Sequence, residues 1–389
     1  MAVYDAADIA SQSRTGDDTR LQQFERKFWR EYLENTGLKP YMGAGNNHVI
    51  QVNKRNIQGG ETVAIPLVQQ LRGTAKGTGI LTGNETQMFA DDFLTRPNWV
   101  RDGVTITKDQ KHLSHIDLMM ARKETLKDLA ADYAYFRALE SFTSVGTSTT
   151  RFDAVNSIPQ TNPIAVATNA EKSTWMDDNT DRVFFNLPNS GLRAPGDFDL
   201  SVTNLQAAAQ PSAAQVLDAL KDEAQRRNLD TGPTSRTAIR PIKVDMANRY
   251  RMFLVLVGTK TFNWIENDPT VVGFYQNAAR NAPMENRYFH DGDIMYKGMV
   301  IREIPEFDGF DLASDIGNIY FCGAQSIVVS YGQNLRSTKR TETDYDFISG
   351  VGFEELYSYE KQLYADKNVD PVAPPRKQVN MINSFVKLT

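Results

Sequence analysis

The spacing of apolar residues predicts a helix close to the amino end of the chain. Leucine and aromatic residues recur there at helical spacing, and Gly37 and Pro40 provide the stop signals. The aromatic residues of this face include Phe24, Phe28 and Trp29. A helix so rich in aromatic residues needs a surface to pack on, and this surface belongs either to the same chain or to a neighbouring one.

The segment that follows contains too few apolar residues to form a core of its own. Residues 62–67 alternate between apolar and polar, with Pro66 favouring an edge strand, and residues 104–107 alternate in the same way. Glycine, threonine and lysine recur between them. We therefore expect a long excursion of two extended arms with a flexible tip. Because an isolated two-stranded ribbon is marginal in water, this excursion should become ordered on another surface.

Residues 117–142 show the pattern of a long helix. Apolar residues keep to one broad face, and charged residues occupy the rest of the surface. A helix of this length spans roughly 40 Å, at about 1.5 Å per residue. No strict heptad register is sustained, so the pattern favours a helix packed on a sheet over a coiled coil. The apolar face is formed by Met119, Leu126, Leu129, Ala130, Tyr133, Phe136 and Leu139.

The remainder of the chain predicts a mixture of helices and strands. Residues 144–210 are rich in polar residues, glycine and proline, and predict irregular structure with short strands. Ser212 and Gln215 have the spacing of a capping box, which predicts a helix from there to about Asn228. The pattern further predicts a buried strand at 250–258, a helix beginning at Asp268-Pro269, two short strands within 293–304 that turn at Lys297-Gly298, and strands at 319–321 and 327–331.

Composition and charge narrow the class of protein. The 389 residues are 41% hydrophobic and 23% charged, and the formal net charge of −5 argues against a surface that binds nucleic acid tightly. Cys322 is the only cysteine, which excludes an intrachain disulfide and predicts a small core residue in a strand. The longest apolar run, residues 252–257, is too short to cross a membrane, and the amino end has no signal-peptide pattern. We therefore expect a protein made and kept in the cytoplasm.

A search for catalytic and ligand-binding patterns finds none that is complete. The glycines of residues 73–79 lack the Gly-Lys-Ser/Thr ending of a phosphate-binding loop. His112 and His115 share a helical spacing but have no third metal ligand at a suitable offset. Adjacent acids such as Asp91-Asp92 are typical of solvated surface charge. We expect no enzyme activity, metal or cofactor, and a soluble enzyme with an unrecognised site stays open as an alternative.

Several short motifs lie between about residues 55 and 310. Each motif alone has low specificity for a protein family, but their order and spacing together are specific. The most characteristic are Gly83-Asn84-Glu85 and the Gly-Met-Val-Ile-Arg-Glu of residues 298–303. The other segments are 57–67, 71–73, 79–82, the long helix from about Asp117, 250–281 and 296–304. In this order they resemble the N4-type family of tailed-bacteriophage major capsid proteins.

The resemblance implies an α+β fold of the HK97-like type, divided into five parts. These are an N-terminal arm at 1–54, an extended loop with flanking strands at 55–115, a peripheral lobe at 116–210 with a spine helix at about 117–142 and a polar insertion, an axial lobe at 211–335, and a return to the peripheral lobe at 336–389. The boundaries are approximate. The same parts, in the same order, are visible in the pattern of apolar residues.

The resemblance also implies a structural role without catalysis. Copies of the chain would self-assemble into hexamers and pentamers of an icosahedral virion shell around double-stranded DNA, built in the cytoplasm of the bacterial host. Portal, scaffolding and cementing proteins are the implied partners, with weak non-specific contact to DNA and no membrane. The residues expected to make contacts between subunits are Phe24, Phe28, Trp29, Gly73, Lys76, Gly77, Gly79, Gly83, Asn84 and Glu85. An encapsulin-like compartment that encloses an enzyme is the alternative within the same fold.

Overall fold

The computed structural model describes most of the chain between residues 38 and 388. The described residues are 38–54, 63–68, 71, 77–83, 85–86, 88–95, 97–109, 118–146, 151–152, 159–160, 162–226, 238–243, 251–274, 293–343, 347–370, 372 and 374–388. The predicted amino-terminal helix lies outside these residues, and so do His112 and His115.

Helices and strands alternate along the described residues, in keeping with the predicted α+β class. The helices are α1 (Leu118–Thr143), α2 (Asn169–Asp178), α3 (Phe198–Ala207), α4 (Ala213–Gln225) and α5 (Thr259–Glu266), with short 3₁₀ helices at Lys39–Tyr41 and Pro305–Phe310. The strands are β1 (Met42–Gly43), β2 (Ile50–Lys54), β3 (Val63–Val68), β4 (Ala90–Thr95), β5 (Asn98–Thr107), β6 (Arg151–Phe152), β7 (Pro159–Gln160), β8 (Val183–Phe185), β9 (Ile242–Lys243), β10 (Arg251–Val257), β11 (Ile294–Tyr296), β12 (Met299–Glu303), β13 (Ile316–Cys322), β14 (Ile327–Thr343), β15 (Ile348–Lys361), β16 (Leu363–Ala365), β17 (Arg376–Gln378) and β18 (Met381–Lys387).

One sheet is built around three long strands. Its order is β1-β2-β14-β15-β5, and β15 runs antiparallel to both β14 and β5, so that these three form a long ribbon. Residues 104–107, which the sequence predicted to be the second strand of the arm, are part of β5 and belong to this sheet. That prediction was wrong, because apolar–polar alternation marks a strand without identifying its partner.

α1 packs along this ribbon, and its predicted bounds of 117–142 are confirmed to within one residue at each end. Leu126, Ala130 and Leu139 of the predicted face are buried, but the rest of the buried face differs from the prediction. Leu129 and Phe136, which the sequence placed on the apolar face, are exposed. Leu129 and Phe136 lie on the opposite side of the helix from the buried Ala134 and Ala138, so they project away from the sheet. The buried row consists of Leu126, Ala130, Ala134, Ala138, Leu139 and Phe142. No helix among the described residues is long and apolar enough to span a membrane.

A second sheet has the order β11-β12-β10-β13-β18-β8, with β9 paired to β10. β10, the β11–β12 hairpin and β13 confirm the strands predicted at 250–258, within 293–304 and at 319–321. α4 and α5 cover one face of the sheet and share a core with it. Cys322 is fully buried in β13, as predicted for a small core residue, and this burial raises the pKa of its thiol to about 12.

Residues 162–210 hold two helices and a core of their own, which corrects the prediction of irregular structure for 144–210. The predicted short strands are present as β6, β7 and β8, but α2 and α3 were not predicted. Many of the polar residues are helix caps: Thr168 and Glu171 form a capping box, and the Asp197 carboxylate accepts the N–H of Leu200. The core is aromatic, with neighbouring ring centroids 5.5 to 6.4 Å apart among Trp175, Phe185, Phe198 and Phe385.

Asp268 caps two helices at once. Its carboxylate accepts the N–H of Ala214 in the first turn of α4 at 3.2 Å and the Ser212 hydroxyl at 2.6 Å. It also accepts the N–H of Thr270 at 2.9 Å, in the helical residues 269–274, which begin where the sequence predicted a helix to start. The capping box predicted for Ser212 and Gln215 does not form, since the Ser212 side chain makes no capping hydrogen bond. α4 ends at Gln225, before the predicted Asn228.

We expect Asp268→Ala to lower the free energy of unfolding by about 1–2 kcal/mol, because an aspartate N-cap is worth roughly 0.5–2 kcal/mol and this one serves two helices. Asp222→Ala on the exposed surface of α4 is the matched control and should cost less than about 0.5 kcal/mol. Urea unfolding of both variants measures the difference. Equal costs for the two variants would contradict the double-cap assignment.

Candidate assembly surface

β3 and β4 form a two-stranded antiparallel arm that extends from the ribbon sheet. Ile65 lies opposite Phe93, and Ala64 lies opposite Leu94. The arm therefore pairs residues 63–68 with 90–95. Each of its strands has only one partner among the described residues, which agrees with the edge position that Pro66 favours.

One face of this arm is fixed to the body by apolar contacts. Phe93 is buried against Val328 of β14 and Leu363 of β16, and Ile65 and Leu67 pack beside it. Because successive residues of a strand point to opposite faces, these side chains all belong to the face that looks towards the body. The root of the arm thus has a defined position on the subunit.

Polar contacts hold the same root. The Asp91 carboxylate accepts the backbone N–H of Ala365 at 2.9 Å, and the Lys367 ammonium donates to the backbone carbonyl of Ala90 at 3.1 Å. The hydroxyls of Thr95 and Ser330 lie 2.8 Å apart, both buried. The sequence interpretation of Asp91 as solvated charge was wrong, because its partner is a backbone group 274 positions further along the chain.

The opposite face and the tip of the arm expose large apolar side chains. Ile80 is 78% exposed and Leu81 is 61% exposed, which is unusual for residues of this type when they lie close together. The further members of this set, which we call the arm patch, are Val68, Leu71, Met88 and Leu94. Such a patch indicates a surface that another chain covers.

The tip has a local structure that requires glycine. Gly83 has a φ of 84°, in the left-handed region, and its N–H donates to the Glu85 carboxylate at 2.8 Å. Gly77 and Gly79 have open space around them. The structure therefore brings Gly83 and Glu85 together, while the remaining predicted contact residues, Gly73, Lys76, Asn84, Phe24, Phe28 and Trp29, lie outside the described residues.

Sequence reasoning missed the apolar members of the arm patch. The signal for them was available: Ile80 and Leu81 are adjacent apolar residues within a run of glycine and threonine, where no core can bury them. Leu94 could not be assigned to a face before its partner strand was known.

Lys361 and Glu355 are almost fully buried and have strongly shifted pKa values. Among the described residues, no three His, Cys, Asp or Glu side chains come together as a metal site. Lys361 is buried, donates to the backbone carbonyl of Ser144 at 2.6 Å and lies 5.4 Å from the centre of the Trp175 ring. Burial lowers the pKa of Lys361 to about 7. This amine joins the end of α1 to the core of residues 162–210.

Glu355 is the second buried group of this kind. It lies in β15 on the side of the sheet that faces α1, it is 1% exposed, and its Oε1 atom has no hydrogen-bond partner. Desolvation raises the pKa of its carboxyl well above the usual range, so the folded chain holds it neutral.

Glu355→Gln should flatten the dependence of stability on pH. A carboxyl whose pKa is raised by folding binds a proton on folding at every pH between its unfolded pKa, near 4.5, and its folded pKa. In this window the free energy of unfolding falls with rising pH by about 1.4 kcal/mol per unit for one such group. In urea unfolding between pH 5 and 8, the free energy of unfolding of the variant should therefore rise relative to that of the unmodified chain as the pH rises. A constant difference would contradict a neutral Glu355.

A buried ionic cluster lies next to β16, the strand that contacts the root of the arm. Lys377 of β17 lies 3.6 Å from Asp181 and 3.7 Å from Asp366, and all three side chains are almost fully buried. Asp366 directly follows β16, whose Ala365 holds Asp91 of the arm. The cluster therefore connects the core of residues 162–210, β16 and β17, and the arm root.

The α+β body fixes the root of the arm and leaves the apolar arm patch exposed. These two features define a subunit that works by packing against other chains. The solved structures to which this chain is similar include phage capsids. The chain is similar to the capsid asymmetric unit of cyanophage Pam1, with a TM-score of 0.69, 22% sequence identity, and coverage of 90% of this chain and 92% of that one. The family model for phage capsid proteins matches residues 13–369, and the chain belongs to this family.

Two further structures have the same fold. The capsid of Ralstonia phage GP4 is similar with a TM-score of 0.58 and 15% identity, over 89% of each chain. The head of Helicobacter pylori bacteriophage KHP40 is similar with a TM-score of 0.59 and 12% identity, over 91% of this chain and 92% of that one. A comparison with curated proteins finds no significant match.

These findings confirm the predicted function and α+β capsid fold. The chain is a structural protein of the phage capsid and its place is in the virion. The alternatives of a protein compartment and of a soluble enzyme are not favoured.

Proposed function

We propose that this chain is a major capsid protein of the N4-type, HK97-like class. Its copies close into hexamers and pentamers, which build an icosahedral shell around double-stranded DNA. The observation that carries this proposal is the arm: a root fixed by buried contacts, and a patch of apolar side chains that its own body leaves open.

The energetics of the arm favour repeated contacts between copies. Burying one large apolar side chain is worth about 1.5–3 kcal/mol, so the arm patch supplies several kcal/mol for each contact before the cost of association. Each copy offers one arm and receives another, which is a heterologous contact that closes into a ring. Contacts of this kind multiply over a shell, so that weak individual interfaces suffice.

Two motifs support the N4-type assignment. Gly83 and Glu85 are joined by a hydrogen bond at the tip of the arm. The segment of residues 298–303 begins at the turn between β11 and β12, where Lys297 and Gly298 both have positive φ values, of 44° and 83°. The glycine of each motif, Gly83 and Gly298, therefore occupies a position at which the backbone favours glycine.

Partners and location follow from the shell. Portal and scaffolding proteins would join the assembly in the host cytoplasm, and a cementing protein would bind the finished surface. A net charge of −5 suits a container whose contacts to the packaged DNA are weak and non-specific, since strong phosphate binding needs clustered cations.

Sedimentation velocity of the purified full-length chain tests this proposal. We expect capsomer-sized species or complete shells, formed alone or with the phage's scaffolding protein. A chain that remains monomeric at high concentration in the presence of that scaffolding protein would contradict the proposal.

A further inference from the structure

The described chain begins at a seam between α1 and the second sheet. Leu38 and Tyr41 are almost fully buried in the core that α1 shares with both sheets, and they lie at the two ends of one turn of 3₁₀ helix. Pro40 lies in this turn, where its ring fixes the backbone φ. The body therefore sets the position and direction of the chain at residue 38.

Arg302 of β12 contacts this starting point from the second sheet. Its Nη1 atom donates to the Tyr41 hydroxyl at 3.2 Å, and its guanidinium carbon lies 5.6 Å from the centre of the Tyr41 ring. The Asp293 carboxylate contacts the same guanidinium at 3.9 Å. Val300, two positions earlier on the same face of β12, packs in the same core as Tyr41. Arg302 therefore points from the sheet towards the start of the described chain.

α1 contributes a tyrosine to the same place. The Tyr135 hydroxyl donates to the Glu306 carboxylate at 3.2 Å, and Tyr135 also interacts electrostatically with Arg302. Burial and the negative charge of Glu306 raise the pKa of Tyr135, so its hydroxyl stays a hydrogen-bond donor. We call Tyr41, Tyr135, Arg302 and Glu306 the entry cluster. It joins the start of the described chain to α1, β12 and the 3₁₀ helix Pro305–Phe310.

Arg302 belongs to the motif of residues 298–303, and its role differs from those of its neighbours there. Gly298 forms the turn, and the Glu303 carboxylate accepts the Thr259 hydroxyl at 2.6 Å at the start of α5. The Arg302 side chain is 28% exposed, so the packing of its own sheet does not account for an arginine at this position. It reaches instead to the two tyrosines of the entry cluster, which belong to other elements.

We propose that Arg302 is a positioning residue for assembly, which fixes where and in which direction residues 1–37 leave the body. The inference rests on the proposed shell function and deepens it, since it names a residue on which the contacts of the amino-terminal segment depend. Those contacts are the ones predicted for Phe24, Phe28 and Trp29. Every copy in a shell must present the segment in the same geometry, because a variable starting point lowers the effective concentration of the segment at its partner.

Electron spin resonance of the unassembled full-length chain tests this positioning directly. Spin labels on Thr36→Cys and on Thr203→Cys, an exposed position of α3, give the distribution of distances between the amino-terminal segment and the body. Cys322 adds no background because it is fully buried. We expect a narrow distribution in the doubly labelled chain and a roughly twofold broader one when Arg302→Met is added, because the segment then lacks a fixed start. Equal widths would overturn the inference.

Assembly of the Arg302→Met chain provides the second measurement. Its yield of shells should fall by roughly tenfold, while its midpoint of urea unfolding stays near that of the control. The matched control is Arg336→Met in β14, since Arg336 also has a carboxylate at 3.9 Å, that of Glu354. This control should assemble normally. A broad distance distribution together with a normal yield of shells from Arg302→Met would also overturn the inference.

Tyr41→Phe decides the case in which Arg302→Met destabilises the fold. It removes only the hydroxyl that accepts from Arg302 and leaves the ring in the core. We expect a broader distance distribution and a lower yield of shells, and an unchanged result in both measurements would overturn the inference. Failure of the unmodified chain to form capsomers or shells would overturn the proposed function, whereas the label distances would still decide whether Arg302 fixes the start of the segment.

Discussion

Replacing residues 69–89 with a short glycine–serine linker is expected to abolish shell formation and leave the chain folded. The structure shows where to cut: β3 and β4 remain, because Phe93, Asp91 and Thr95 hold the root of the arm to the body. The removed segment contributes four apolar side chains of the arm patch, Leu71, Ile80, Leu81 and Met88, to contacts with other copies. Urea unfolding and electron microscopy of the same preparation measure the two effects separately.

A double substitution at the tip of the arm should also lower the yield of shells. Ile80→Ser together with Leu81→Ser removes the most exposed part of the arm patch without altering chain length. The control is Val166→Ser together with Leu200→Ser. Val166 is 55% exposed just before α2, and Leu200 is 48% exposed in α3. Equal loss of shells in the two double variants would show that the effect is one of general surface polarity.

Lys377→Met should destabilise the subunit by about 3–5 kcal/mol, because it removes the buried cation that the Asp181 and Asp366 carboxylates both contact. Lys297→Met is the matched control: Lys297 pairs with Asp218 at 2.6 Å, but both side chains are about 40% exposed, so its loss should cost at most about 1 kcal/mol. Urea unfolding below the concentration for assembly measures both.

Two further results would decide whether this cost is electrostatic. Adding Asp181→Asn and Asp366→Asn to Lys377→Met should recover part of the lost stability, because no buried charge then remains in the cluster. If Lys377→Met lowers the free energy of unfolding by no more than Lys297→Met does, the buried cluster does not stabilise the subunit more than an exposed ion pair.

The parts of the fold that the sequence predicted are those with local signals. α1 was located to within one residue because a periodic pattern of 26 residues averages out single exceptions. β10 was evident as a short apolar run, and the β11–β12 turn as Lys297-Gly298. Each of these elements is specified by residues that lie next to one another in the chain.

The parts that could not be predicted depend on distant partners. Phe385 completes the aromatic core of residues 162–210 from almost 200 positions away, so that core is invisible in a local reading of the polar segment. Ser212 carries a capping pattern, but its hydroxyl binds Asp268, 56 positions later. The arm was recognised as an excursion from its composition, whereas its partner strand and its exposed face needed the structure. The five predicted segment boundaries and the residues of contact between subunits stay predictions.

Cryo-electron microscopy of particles from the expressed full-length chain tests the central claim most directly. The account predicts closed shells of hexamers and pentamers in which β3 and β4 stay on their own body and the tip of the arm, residues 69–89, lies on a neighbouring copy. Particles in which every arm folds back on its own subunit, or a preparation that contains only monomers, would contradict it.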